Sequence, residues 1–351
     1  MDPPGLATCR AFAFALVHNT SLSSLCLQNP GPSLAIFCAE ALRHNRTLQH
    51  LCWQGTLGSE QAVIMIANTL KLNVTLSSLE LRLTDGRLDE ICGIALADML
   101  CCNSSLEYFA MTFDDGYVGD RTCLRIAEAL AQNTTLRTFK MEYSDMSVET
   151  AALMVKALAN NTSLQELVIG SDTIDDQMGI MMAGMLKRNV SLKKFQLFGN
   201  ALGDETGLAM VNTLKTNMVL ESFILSGGED IITECNMSEA VVGAMQDVLL
   251  QQNVTLRRFF AGRYMEDWAA DEALERNERL PREWRKLAQL ARVVHNTGFH
   301  SLKELHFRQQ VFKFFLPPLC TVSPCANGTL GLSDFEVCAK SEATKTEMCH
   351  A

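Results

Sequence analysis

Ten asparagines at nearly even spacing set the frame of this chain: Asn19, Asn45, Asn73, Asn103, Asn133, Asn161, Asn189, Asn217, Asn253 and Asn277. The intervals between them are 26, 28, 30, 30, 28, 28, 28, 36 and 24 residues. A leucine stands three residues before each one, from Leu16 to Leu274, and another three residues after it, from Leu22 to Leu280. A period of this kind points away from an ordinary globule, because each unit must find its core against its sequence neighbours.

Six and eight residues past each of the first nine anchors stand two apolar residues, as in Leu51 and Trp53, Phe109 and Met111, Leu167 and Ile169, or Phe223 and Leu225. Side chains two apart share one face of a strand, so each pair points into a core while the residue between them points out. The stretches leading into the anchors, such as TAALMVKAL before Asn161 and TGLAMVNTL before Asn217, have helical apolar spacing and few β-branched residues. One strand and one helix per unit predicts an α/β solenoid over residues 1–280 with about nine βα repeats, residues 1–18 being an incomplete half repeat.

The segment SLKKFQLFGNALGDETGLAMVNTLKTN at 191–217 resembles the ribonuclease-inhibitor type of leucine-rich repeat, and the likeness extends over about residues 6–280. It is shared with the repeat region of NOD-like receptors. The resemblance implies a horseshoe with a parallel β-sheet on the concave side and α-helices on the convex side. Such repeats carry an asparagine eleven residues past the anchor, whose amide satisfies the turn after the strand. Only Asn200 keeps it here. Thr56, Thr84, Asp114, Ser144 and Asp172 are smaller polar substitutes, whereas Pro30, Gly228 and Tyr264 are not, so looser turns are expected there.

The tenth anchor does not open a strand, because Leu280 is followed by Pro281 and the two core positions are Glu283 and Arg285. Trp284, Leu287, Ala288, Ala291 and Val294 lie at helical spacing instead, which predicts a helical C-terminal cap over 281–319. That cap includes an aromatic cluster, Phe307, Phe312, Phe314 and Phe315. Residues 320–351 are rich in Ser, Thr, Gly and Cys, and disorder is expected. At the other end the chain opens inside a helix, Leu6 to Val17, with no polar cap before it. Its apolar edge implies either cover by another chain, self-association included, or a longer gene product.

The chain of 351 residues has a formal charge of −10, with −12 on residues 1–253 and +2 on the remainder. That balance argues against nucleic acid or an anionic membrane as the partner. No apolar run approaches the roughly 18 residues of a membrane helix, and the opening MDPPGLATCR lacks a basic signal region. Thirteen cysteines are scattered rather than paired, which fits reduced thiols and a cytoplasmic location. Eight anchors read Asn-x-Ser or Asn-x-Thr. The repeat geometry accounts for these without glycosylation, since the asparagine ends a helix and the hydroxyl residue precedes a buried leucine.

Little in the sequence points to catalysis. The seven histidines form no nucleophile or metal pattern, and His18 and His44 sit at helix ends. Cys320, Cys325, Cys338 and Cys349, with His350, lack the close pairs of a zinc site, and Cys101 with Cys102 reads as packing. Neither metal nor cofactor is expected. One loop, LTDGRLDE, is similar to the arginine-bearing loop of the Ran GTPase-activating protein. That resemblance would make Arg87 an arginine finger for a small GTPase, although Asp114 one repeat later would repel phosphate.

Function must then come from side chains the core does not use. Residues five, seven and nine past each anchor face the cavity: Ser24, Cys26, Gln28, His50, Cys52, Gln54, Glu80 and Arg82 early, and Tyr108, Lys140, Glu142 and Glu166 in the middle. Val168, Lys194, Phe198, Ile224, Arg258 and Phe260 follow. Aromatic and apolar groups beside cations have the composition of binding hot spots. The alternative is that Phe198, Ile224 and Phe260 cover one another across strands. The expectation is a non-catalytic module binding a partner protein through Tyr108, Lys140, Glu142, Val168, Lys194, Phe198, Ile224, Arg258 and Phe260. The resemblance allows an enzyme inhibitor, a scaffold or a fragment of a larger receptor. A sensor's phosphate loop is not seen in this sequence.

Overall fold

The computed structural model describes residues 5–261, apart from 56–59, 89, 172, 200, 227–235, 252 and 254, together with Asn277. Strands and helices alternate along the described residues: α1 (Leu6–His18), β1 (Ser24–Gln28), α2 (Gly31–Leu42), β2 (His50–Gln54), α3 (Glu60–Leu70), β3 (Ser78–Leu88), α4 (Glu90–Cys102), β4 (Tyr108–Val118) and α5 (Asp120–Leu130). Then follow β5 (Thr138–Met141), α6 (Val148–Asn160), β6 (Glu166–Gly170), α7 (Asp176–Arg188), β7 (Lys194–Phe198), α8 (Asp204–Leu214), β8 (Ser222–Ser226), α9 (Glu239–Gln251) and β9 (Arg258–Ala261). The strands form one parallel sheet in chain order, β1 to β9, and each helix packs on the next. This is a leucine-rich-repeat solenoid: every crossover returns the chain beside the strand it has just left.

Contacts divide the chain into Met1–Gln289 and Leu290–Ala351, and the sheet belongs wholly to the first unit. The cap expected over 281–319 and the tail over 320–351, with its four cysteines, lie outside the described residues, as do Asn200 and residues 227–235 of the 36-residue interval between Asn217 and Asn253.

The apolar pairs enter the core as their spacing requires. Trp53, Phe109, Phe139, Phe195 and Phe223 are each fully buried. Because the strands are in register, equivalent rings meet one another: Phe195 and Phe223 stack at 6.2 Å between centroids, and Phe223 and Phe259 at 5.9 Å. On α7, Met178, Met182 and Met185 are buried and Met181 is half-buried. At β1 the counterparts Leu25 and Leu27 are only half-buried, and on α1 Leu6 and Phe14 are exposed.

The anchor asparagines explain why the spacing is so strict. Asn133 Nδ2 donates to the carbonyl of Leu100 at 2.6 Å, while its Oδ1 accepts from the N–H groups of Thr135 and Leu136. The same three hydrogen bonds recur from Asn45, whose amide reaches Leu16, to Asn253, whose amide reaches Leu214. Each amide thus satisfies a carbonyl orphaned at the end of the preceding helix and two donors of its own turn. Asn45, Asn73, Asn103, Asn133, Asn161, Asn189, Asn217 and Asn253 are buried. Asn277, only 24 residues on, is buried too and donates to the carbonyl of Asn253, as Asn253 does to that of Asn217, but its second acceptor is Leu256, which follows the preceding anchor instead of standing before it.

The two 30-residue intervals have a visible consequence. Where most strands hold four or five residues, β3 and β4 each hold eleven and pair continuously from Ser78↔Tyr108 to Leu88↔Val118. Arg87, expected in a loop, is therefore a strand residue paired with Tyr117. Leu83, Leu88, Phe113 and Val118 are all buried, so each extension is tied to the core at both of its ends. Cys101 and Cys102 also depart from expectation, since both are exposed at the end of α4.

Candidate functional site

The face of the sheet turned away from the helices carries three rows of side chains, one per outward position. The first runs from Ser24 and His50 through Ser78, Tyr108, Thr138, Glu166, Lys194 and Ser222 to Arg258. The second runs from Cys26 and Cys52 through Glu80, Ala110, Lys140, Val168, Gln196 and Ile224 to Phe260. The third includes Gln28, Gln54, Arg82 and Thr112, and farther along Gly170, Phe198 and Ser226. Glu142 continues the ladder just past β5, its N–H donating to the carbonyl of Met111 at 3.1 Å. The nine residues expected to bind a partner all lie at outward offsets of these strands or, for Glu142, just past one.

The middle of the face is an ionic network. Lys140 Nζ lies 3.0 Å from Glu166 Oε1, and Lys194 Nζ lies 3.0 Å from Glu166 Oε2. Lys140 also sits over the Tyr108 ring, 5.7 Å from its centroid. Burial alone would raise the carboxyl of Glu166, but the bonds from Lys140 and Lys194 outweigh it and hold it below its ordinary value. Burial likewise opposes the charge on Lys140, and the bond to Glu166 overcomes that and raises it. The Tyr108 phenol is pushed up by burial, with Lys140 acting against the shift. Two strands away, Arg82 Nε donates to Glu80 Oε1 at 2.7 Å.

Glu166 joins two lysines on neighbouring strands, a role the sequence reading placed on the face without assigning to the site. Its signal was readable: a carboxylate on one strand sits between ammonium groups one repeat either side, at adjoining outward positions.

The apolar end behaves otherwise. Val168, Phe198 and Ile224 are buried at 2%, 7% and 0% accessibility, with Phe260 half-buried against them, so of the two readings it is the mutual cover of Phe198, Ile224 and Phe260 across strands that the structure shows. Ser222 and Ser226 beside Ile224 are buried as well. Register supplies part of the reason: Ile224 pairs with Phe260, and Phe198 stands opposite Gly170, whose missing side chain leaves room for the ring. A Cβ at Gly170 would lie 3.3 Å from Phe198 Cδ2. Lys194 and Arg258 remain exposed, and Tyr108, Lys140 and Glu142 partly so.

Among the described residues no group of three or more His, Cys, Asp or Glu side chains could hold a metal ion, and no helix is long and apolar enough to cross a membrane. No family model matches the chain, and no curated protein matches it. Among solved structures, the chain is similar to actin-binding site 2 of leiomodin-1, at 17% identity over 54% of this chain and 91% of that one, with a TM-score of 0.31. That likeness is too distant to assign a fold or a partner, and the repeat fold rests instead on strand order and register.

Proposed function

We propose that this is a leucine-rich-repeat module of the ribonuclease-inhibitor type that binds a partner protein on the open face of its sheet, without chemistry of its own, in the cytoplasm. The observation that supports this reading is the network of Tyr108, Lys140, Glu166 and Lys194, which no core contact requires. Partly exposed ion pairs of this kind stabilise a fold by only about 0–1 kcal/mol each. Their effect here is to hold charged and aromatic groups in place before a partner arrives, which reduces the ordering cost of binding. The working surface is the polar stretch from Arg82 to Lys194 with Arg258, rather than the apolar cluster, whose members are already covered.

The test is affinity capture from native lysate with three proteins: the unaltered chain, a Lys140→Glu, Lys194→Glu double variant, and a Lys156→Glu control on the exposed side of α6. A protein retained by the first and third and lost by the second supports the open face. Retention by all three would move the binding surface elsewhere.

A further inference from the structure

The second row of the open face begins with two thiols on neighbouring strands. Cys26 of β1 and Cys52 of β2 are register partners, so both side chains leave the sheet on the same side. Neighbouring strands stand about 4.8 Å apart, within the Cα separations of about 4.4–6.8 Å that disulfides span. Cys26 is exposed and Cys52 partly so, unlike Cys9, Cys38, Cys92 and Cys123, which are buried. Burial pushes the Cys52 thiol up to about 12, helped by its hydrogen bond with Cys26 and by the carboxylate of Glu80. Closure also needs the two Cβ atoms to approach to about 3.8 Å, nearer than flat in-register strands bring them. β1 can supply that movement because among the described residues it pairs on one side only, with β2, and because Leu25 and Leu27 beneath it are half-buried.

We propose that Cys26 and Cys52 form a cross-strand dithiol site that a hydroperoxide closes to a disulfide. The exposed Cys26 sulfur attacks the peroxide oxygen, which breaks the O–O bond, leaves Cys26 as a sulfenic acid and releases water or an alcohol. The Cys52 sulfur then attacks the Cys26 sulfur, forming the S–S bond and breaking S–O. The Cys52 proton leaves with the hydroxide as water. Two thiols lose two electrons and the peroxide gains them. A bond closed against the sheet's own spacing is strained, and strained disulfides are the readily reduced ones, so a thiol reductant reopens it. The state of the pair sets the shape of one end of the open face.

The experiment treats the native full chain with hydrogen peroxide, blocks free thiols, digests with trypsin without reduction and reads the peptides by mass spectrometry. Peptide Ala11–Arg43, which holds Cys26, should appear joined to Thr47–Lys71, which holds Cys52, two hydrogens lighter than their sum. The first peptide also holds Cys38, so two variants assign the bond. The link is expected to vanish in Cys26→Ser and persist in Cys38→Ser, with circular dichroism showing both folded. In Cys52→Ser the Cys26 sulfenic acid should accumulate and react with dimedone. A link that survives Cys26→Ser would overturn the proposal, as would Cys26 passing to sulfinic acid with no link formed.

Discussion

The side-chain amide of Asn161 donates to the carbonyl of Leu130 at 2.8 Å, across the boundary between two repeats. Its oxygen meanwhile accepts from the N–H groups of Ser163 and Leu164 at 2.9 and 2.8 Å. Asn161→Ala strands one acceptor and two donors in the interior and is expected to cost about 3 kcal/mol in urea unfolding, at 1–3 kcal/mol per unsatisfied buried group with partial relaxation. A loss below about 1 kcal/mol would show that water replaces the amide.

Two glycines on helices should respond to alanine with opposite signs. At Gly184 of α7 nothing lies within 4 Å of a new Cβ, so Gly184→Ala should stabilise by about 0.5–1 kcal/mol through helix propensity. At Gly93 of α4 the Cβ would fall 2.7 Å from Thr122 Cα, which is backbone of the next helix and cannot rotate away. Gly93→Ala should destabilise by about 1–2 kcal/mol, overpacking exceeding the propensity gain. Thermal unfolding of the two variants side by side reads both signs.

Phe223 stacks between Phe195 and Phe259 and is fully buried. Phe223→Ala should cost about 4 kcal/mol, and Phe223→Leu markedly less, because leucine refills most of the volume but not the ring contacts. Equal losses in chemical denaturation would mean that ring stacking, not volume, dominates at this site.

Acid should loosen the starts of the helices. Asp176 Oδ1 accepts from the N–H groups of Gly203 and Thr206 and from the Thr206 hydroxyl. Burial would raise its carboxyl, but these three bonds prevail and hold it below its ordinary value, as similar bonds from Ser147 and Thr150 do for Asp120. A depressed folded-state pKa contributes stability above the unfolded value, near 3.8, and that contribution is lost as pH falls toward the folded one. Stability measured from pH 6 down to about 2 should therefore fall less steeply below pH 4 in Asp176→Asn than in the unaltered chain. An unchanged slope would remove Asp176 from the acid response.

The repeat frame was legible in the chain because its determinants are strictly periodic. The anchor asparagine, its flanking leucines and the paired apolar residues after it each occupy a fixed offset, and register follows from them. What periodicity cannot show is departure from the unit. Arg87 was read as a loop residue, yet Leu83, Leu88, Phe113 and Val118 are buried at the two ends of each extension, and the strands stay paired there. On the open face, the offsets placed Tyr108, Lys140 and Lys194 correctly. They left two readings open for Ile224 and Phe198, exposed or covered by one another, because an outward position states direction and not depth.

From the second anchor on, each amide nitrogen donates to a carbonyl at a lower residue number: Asn45 to Leu16, Asn133 to Leu100, Asn253 to Leu214. A chain leaving the ribosome amino end first therefore presents each new amide to an acceptor whose own helix has already emerged. Such a molecule can be assembled as it is made, with every finished repeat serving as the template on which the next one closes.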